Sequence, residues 1–210
     1  MSAIWAVVLA GGESRRFGSD KLEARLGSKR LLERSISELP AGAMLVIVGP
    51  VREQLLATDH PVVYVREEPP GGGPAAAMIA GLSSVLTDAG SDDLVAVLPG
   101  DTPAAGRAAG FLLSTLSADP AALGAVGVDG EGRVQPLQLA LTRSAAEQLL
   151  AAARPGRGAG ASARALVTTL GEDLRRVPLP PELHADIDTT ADLERWQRRS
   201  PRTGGSGSVT

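Results

Sequence analysis

The sequence predicts a single three-layer α/β domain on a mostly parallel but mixed central sheet, with helices on both faces. Three observations predict it. Short runs, apolar but for Asp93 at the start of the last, recur at residues 4–9, 44–48, 62–65 and 93–98, and a strand buried on both faces shows no polar alternation. Helical patterns lie between them, as parallel neighbours require. Two later runs are joined by Asp129-Gly130-Glu131-Gly132, a hairpin signal that adds antiparallel strands.

The elements follow in order. Ile4 to Leu9 is a buried strand ended by Gly11-Gly12, and Leu31, Leu32, Ser35, Ile36 and Leu39 share a helix face closed by Pro40. Met44 to Val48 is the second strand, Pro50 to Ala57 a short helix and Val62 to Val65 the third strand. Pro74 opens an Ala-rich helix to about Leu86, a position proline favours. Asp93 to Leu98 is the fourth strand, followed by a helix from about Ala105 to Leu116. Gly124 to Val128 and Arg133 to Leu141 form the hairpin, and Thr142 caps a helix reaching Arg154. After the Gly-rich loop Pro155 to Gly160 come a helix from Ser162 to Leu170, an edge strand from Leu174 to Leu179 and a terminal helix from Thr190 to Arg199. Residues 1–200 are expected to form the domain and the Gly/Ser-rich residues 201–210 a disordered tail.

Composition narrows the function. The 210 residues carry a net charge of −3 and 2% aromatics, which argues against nucleic acid, a ligand of basic faces and stacking platforms. Without cysteine there is no disulfide, thiolate metal site or Cys nucleophile. The apolar run at 3–10 is far shorter than the ~20 residues of a membrane span, and no basic segment precedes it. The expectation is a cytoplasmic protein with no membrane partner. His60 and His184 sit in apparent loops and read as surface residues.

In a parallel sheet, ligands bind at the carboxyl ends of the strands, where the strand order reverses. Loops 10–21, 66–74 and 99–103 lie there. Residues 9–21, LAGGESRRFGSDK, are the most informative: two glycines after a buried strand let backbone N–H groups approach an anion, and Arg15, Arg16, Lys21 and Arg25 supply cations suited to a polyphosphate. Neither the Gly-Lys-Ser/Thr of a P-loop nor G-x-G-x-x-G is present. A solvated basic βα turn is the alternative, weakened by the Arg-Arg and Asp-Lys pairs.

Leu9, Ala10, Gly11, Gly12, Ser14, Arg16, Gly18, Asp20 and Lys21 match L-A-G-G-x-S-x-R-x-G-x-D-K, and on these residues the chain resembles the MobA-like nucleotidyltransferases, most of all the molybdenum cofactor guanylyltransferases. The resemblance continues to about residue 196. Glu67-Glu68-Pro69-Pro70-Gly71-Gly72-Gly73-Pro74 is similar to the family's acidic residue and Gly-rich G-P-x-A-G segment, with Glu68 in the acidic position or Glu67 by a one-residue shift. Pro99-Gly100-Asp101-Thr102-Pro103 resembles P-C-D-x-P, with glycine for cysteine; Gln135-Pro136 resembles an H-P strand start. Asp186-Ile187-Asp188-Thr189-Thr190-Ala191-Asp192-Leu193 resembles N-x-N-T-P-E-D-L, with aspartates for asparagines.

The resemblance implies a Rossmann-like nucleotidyltransferase fold and Mg²⁺-dependent transfer of GMP from GTP to a molybdopterin-type cofactor phosphate, releasing pyrophosphate. Other molybdenum cofactor biosynthesis proteins would be its partners. Leu9, Ala10, Gly11, Gly12, Lys21, Glu68, Gly73 and Asp101 would bind the nucleotide, with Lys21, Asp101 and Arg16 catalytic. Asp101 follows an apolar strand, where a carboxylate needs a partner or a cation, so it reads as a metal ligand or as a helix N-cap. Asp188, or Asp186, would be the second metal ligand by resemblance. L-A-G-G implies guanine, where cytidylyl relatives usually show L-A-A-G. Arg16 and the arginines of residues 154–164 are candidates for the acceptor phosphate. Transfer of CMP or another nucleotide to a different acceptor, and nucleotide binding without turnover, are the competing readings.

Overall fold

The structure is a computed structural model that describes residues 2–12, 17–52, 56–153 and 162–199. Its centre is a seven-stranded sheet. In chain order the strands are β1 (Ile4–Leu9), β4 (Met44–Val48), β5 (Val62–Val65), β6 (Leu94–Pro99), β7 (Gly124–Val128), β8 (Val134–Thr142) and β9 (Leu174–Pro178). Two short strands, β2 (Arg25–Leu26) and β3 (Lys29–Arg30), pair antiparallel in a separate ribbon. The sheet order is β5-β4-β1-β6-β8-β7-β9. All pairs are parallel except β6·β8 and β7·β8, so the hairpin makes the sheet mixed as the sequence predicts.

The helices are α1 (Leu31–Ile36), α2 (Gly73–Asp88), α3 (Ala105–Ala118), α4 (Arg143–Ala152), α5 (Ala163–Thr168), α6 (Pro181–His184) and α7 (Thr190–Arg199). The two sheet faces are apolar for the same reason: successive side chains of a strand point to opposite sides. Ala6, Val8, Leu45, Ile47, Ala96 and Leu98 pack with Leu31, Ile36, Leu112 and Leu116 of α1 and α3. Trp5, Val7, Val46, Val48, Val95 and Val97 pack with Met78, Leu82, Leu149 and Leu166 of α2, α4 and α5. Each such Leu, when fully buried, contributes about 1.5–3 kcal/mol. Gly81 of α2 permits an unusually close helix–sheet contact, since a methyl group there would lie 2.2 Å from Val7 Cγ1 and 2.9 Å from Val48 Cγ2.

The helix predicted over 50–57 is not seen among the described residues. Residues 50–52 and 56–57 are not helical, and residues 53–55 lie outside the described residues. Residues 50–52 are irregular instead, and Arg52 bonds to the Asp20 carboxylate and the Ala10 carbonyl. Thr142 does cap α4, its hydroxyl accepting from the Ala145 amide at 3.2 Å. Trp196 of α7 stacks under the Arg34 guanidinium at 5.3 Å, and this cation–π contact docks the last helix on α1. Among the described residues no helix is long and apolar enough to cross a membrane. The Pro155–Gly160 loop and the 201–210 tail lie outside them.

Candidate active site

The parallel strands end together, and the order reverses at β1: the chain leaves it for β4 and β5 on one side and returns to β6 on the other. At this point of an α/β sheet the diverging connections leave a crevice. Leu9 is level with Pro99 in the ladder, and the Gly100 amide donates to the Leu9 carbonyl at 2.9 Å. The Ala10 amide donates to the Val48 carbonyl at 2.8 Å. The Leu9–Gly12 turn is thereby held between the ends of β4 and β6, with Gly11 and Gly12 exposed.

Lys21 returns to this crevice from a 3₁₀ turn, Lys21–Glu23, capped by the Asp20 carboxylate on the Leu22 amide at 3.0 Å. Its ammonium donates to Asp101 Oδ2 at 2.8 Å and to Asp188 Oδ1 at 2.7 Å. Burial works to lower the Lys21 pKa, but the hydrogen bonds to Asp101 and Asp188 and their charges outweigh it and hold the group above its ordinary value. Asp188 reaches the site from far along the chain because the Ile187 amide donates to the Asp101 carbonyl at 3.0 Å. Beyond it, Thr189 and Asp192 cap α7 reciprocally: the Asp192 carboxylate accepts from the Thr189 amide at 2.8 Å, and the Thr189 hydroxyl accepts from the Asp192 amide at 3.2 Å.

Asp186 stands in the same field. Its carboxyl is pushed above the usual carboxylate range by burial and then by the charges of Asp188 and Asp101, against the pull of Lys21. Two carboxylates thus pair with the Lys21 ammonium, and the charge of Asp186 adds to the negative field around them. Asp101 does not cap α3, whose N-cap is Ala104 with no side-chain bond. Among the described residues no three acidic or imidazole side chains form a ready metal cage. Magnesium does not ask for one, because it takes one or two carboxylates and fills its octahedron with water and substrate phosphate. Asp101 and Asp188, already converging on one cation, are a donor set of that kind.

The remaining site residues divide. Glu67, not Glu68, stands against the glycine turn, since a methyl group on Gly11 would lie 3.5 Å from Glu67 Oε1. That oxygen also accepts from the Gly71 amide at 3.2 Å, whereas Glu68 is exposed. Gly73 is the first residue of α2, a 16-residue helix whose N-terminus opens at the same end as the strand termini, an arrangement that favours anions. Arg16, Arg154 and Arg157 lie outside the described residues, and Arg164 donates to the Val134 carbonyl at 3.0 Å. His60 Nδ1 lies 2.9 Å from the Ala43 carbonyl, away from the strand ends that form the crevice.

Sequence reasoning missed Arg52 and Gly49. Gly49, at φ +151°, runs so close to the turn that a side chain there would begin 2.6 Å from the Ala10 carbonyl oxygen. The signal, a lone Gly and a lone Arg after a buried strand, is common in any βα connection.

A mixed three-layer sheet with a glycine turn, a lysine and converging carboxylates at the topological switch defines a nucleotide-binding α/β protein of the phosphoryl-handling kind. The MobA-like NTP transferase domain matches residues 6–173, and the chain belongs to that family. It is 32% identical over 149 residues to the molybdenum cofactor guanylyltransferase of Shewanella sp. (strain MR-4), covering 70% of this chain and 72% of that protein. To a probable molybdenum cofactor guanylyltransferase of Opitutus terrae it is 39% identical over 104 residues, 49% of this chain. There the chain spans only half the length of the relative it matches. The molybdopterin-guanine dinucleotide biosynthesis protein A of Archaeoglobus fulgidus shares the fold with a TM-score of 0.65 at 18% identity, over 92% of this chain and 97% of that one.

Proposed function

We propose that this chain is a cytoplasmic enzyme that transfers the GMP unit of GTP to the phosphate of a molybdopterin-type cofactor, releasing pyrophosphate. The observation that carries the reading is the Lys21 ammonium held between Asp101 and Asp188 beside the exposed Gly11-Gly12 turn. The names of the relatives support guanylyl transfer to a molybdenum cofactor, and the L-A-G-G turn supports guanine. In the reaction an acceptor phosphate oxygen attacks the α-phosphorus in line. A new P–O bond forms as the bond to the bridging α–β oxygen breaks, and pyrophosphate leaves with the electron pair.

Catalysis of this kind is mostly positioning and charge. The Gly11 and Gly12 amides would face phosphate oxygens, and the Leu9 and Ala10 carbonyls, which already accept from the Gly100 amide and Arg52, would each offer a second lone pair to the base and ribose. Gly73, at the start of α2, brings the positive end of that helix toward the triphosphate. Lys21 stabilises charge on the transferring and leaving groups. Glu67 takes the acidic position for which the sequence offered Glu68 first. Arg16 would meet charge developing at the transferring and acceptor phosphates. Mg²⁺ on Asp101 and Asp188, when bound, would neutralise phosphate charge and polarise the reacting phosphoryl group.

Thermal denaturation with each nucleoside triphosphate and Mg²⁺ tests the base. At a hundred times Kd a bound ligand adds about 2.7 kcal/mol of stability, so GTP should raise the melting temperature more than CTP, ATP or UTP. A larger rise with CTP contradicts the guanine assignment.

A further inference from the structure

We infer that Arg52 is a positioning residue that sets the Leu9–Gly12 turn and Lys21 in one geometry for the nucleotide, an inference that rests on the nucleotide-binding reading above. The Arg52 guanidinium joins two points ten residues apart. Its Nη2 donates to the Ala10 carbonyl at 2.9 Å, just where β1 becomes the glycine turn. Its Nε donates to Asp20 Oδ2 at 2.9 Å, one residue before Lys21. The other oxygen of that same carboxylate caps the 3₁₀ turn that carries Lys21, through the Leu22 amide. One rigid, planar fork therefore ties Ala10, beside the Gly11-Gly12 turn, to Asp20, beside Lys21.

The clamp is embedded. The Arg52 side chain is only 10% exposed, and its Nε lies 3.4 Å from Glu23 Oε1. Glu23 in turn accepts from Arg30 Nη1 at 3.0 Å through its other oxygen, and Arg30 is paired with Glu33 of α1. Gly49 lets the backbone leading to Arg52 cross close over Ala10. An arginine whose partners are a mainchain carbonyl and a capping carboxylate shapes a loop, and the atoms it orders, the Gly11 and Gly12 amides and the Lys21 ammonium, are those the nucleotide would touch. Ordering them before the ligand arrives lowers the entropy lost on binding.

The test uses the full chain and GTP with Mg²⁺. Arg52→Ala is expected to raise the Kd for GTP about tenfold or more, which is ~1.4 kcal/mol, and to raise KM for GTP while leaving KM for the acceptor unchanged. Arg52→Lys keeps the charge but cannot span both partners, so its ligand-free melting temperature recovers toward that of the unmutated protein while GTP affinity does not. Leu149→Ala, a cavity in the core beneath α4, measures what destabilisation alone does to GTP binding. Arg52→Ala that binds GTP as the unmutated chain does overturns the inference, and so does a loss of affinity that merely tracks melting temperature across the three variants. If the unmutated chain binds no nucleoside triphosphate, the functional reading falls, and the role of Arg52 with it.

Discussion

Lys21 has opposite effects on a metal and on a nucleotide. Its ammonium occupies the space between Asp101 and Asp188 that a divalent cation would take, yet its charge is what a triphosphate requires. Lys21→Met is therefore expected to weaken GTP binding and to tighten binding of Mn²⁺ alone by about threefold to tenfold, because like charges a few ångströms apart exclude each other even when partly screened. Titration of free Mn²⁺ by electron paramagnetic resonance reads this directly, and weaker Mn²⁺ binding by Lys21→Met would contradict the shared seat. At this scale the sequence was informative where residues stand in one motif. Lys21 and Asp101 are legible from their places after the first and fourth parallel strands, and Asp188 from the closing motif. Arg52 is not, because its partners are 42 and 32 residues away and only the fold brings them together. The choice between Glu67 and Glu68 turned on one residue of register in an extended segment, which no periodicity fixes.

Elements show where packing overrides local preference. Alanine is favoured over glycine in a helix by about 1 kcal/mol, yet Gly81→Ala in α2 would drive a methyl group into Val7 and Val48. Overpacking costs about 1–3 kcal/mol, so the variant should melt below the unmutated protein; a higher melting temperature would show that α2 can move off the sheet freely. Two carboxylates tie element ends to acid stability. The Arg133 side chain first, then the Arg133 and Glu131 amides, hold Asp129 in the hairpin turn down to about 2. Thr189, ahead of Arg195 and backbone amides, holds Asp192 at the start of α7 down to about 2. Because the folded values lie below those of the unfolded chain, both contributions are complete above about pH 4 and are lost as the pH falls toward 2. Asp129→Asn can keep the bonds from the Glu131 and Arg133 amides but loses the charge and the Arg133 side-chain bond, so its stability should fall less between pH 4 and 2 in denaturation curves; parallel curves would contradict this. The strands were legible because four of them are apolar throughout; double coverage explains three, while β5 at the sheet edge leaves Val63 half exposed and was found by its β-branched run alone. The helix read at 50–57 was not, because a short amphipathic pattern after proline carries no information about the crossing to Ala10 and Asp20 that claims Arg52. The β2–β3 ribbon was missed because its strands are two residues long.

At the scale of the molecule, the strand order places the site. The β1/β6 junction gathers the glycine turn, Lys21 and Asp101 from two parallel strands, and the segment leading into α7, tied to the Asp101 carbonyl through the Ile187 amide, delivers Asp188 from the far end of the chain. The apolar framework beneath these loops is independent of them, so charges at the strand ends can change without unfolding the domain. Asp101→Asn is the most direct probe of this arrangement, since it preserves size and hydrogen bonding and removes one charge. The decisive measurement is pyrophosphate release from GTP with a molybdopterin acceptor and Mg²⁺, comparing the unmutated chain with Asp101→Asn at equal melting temperature. The account predicts release by the unmutated chain and a loss of about a hundredfold or more in kcat for the variant; near-normal release by Asp101→Asn, or none by the unmutated chain despite bound GTP, would contradict it.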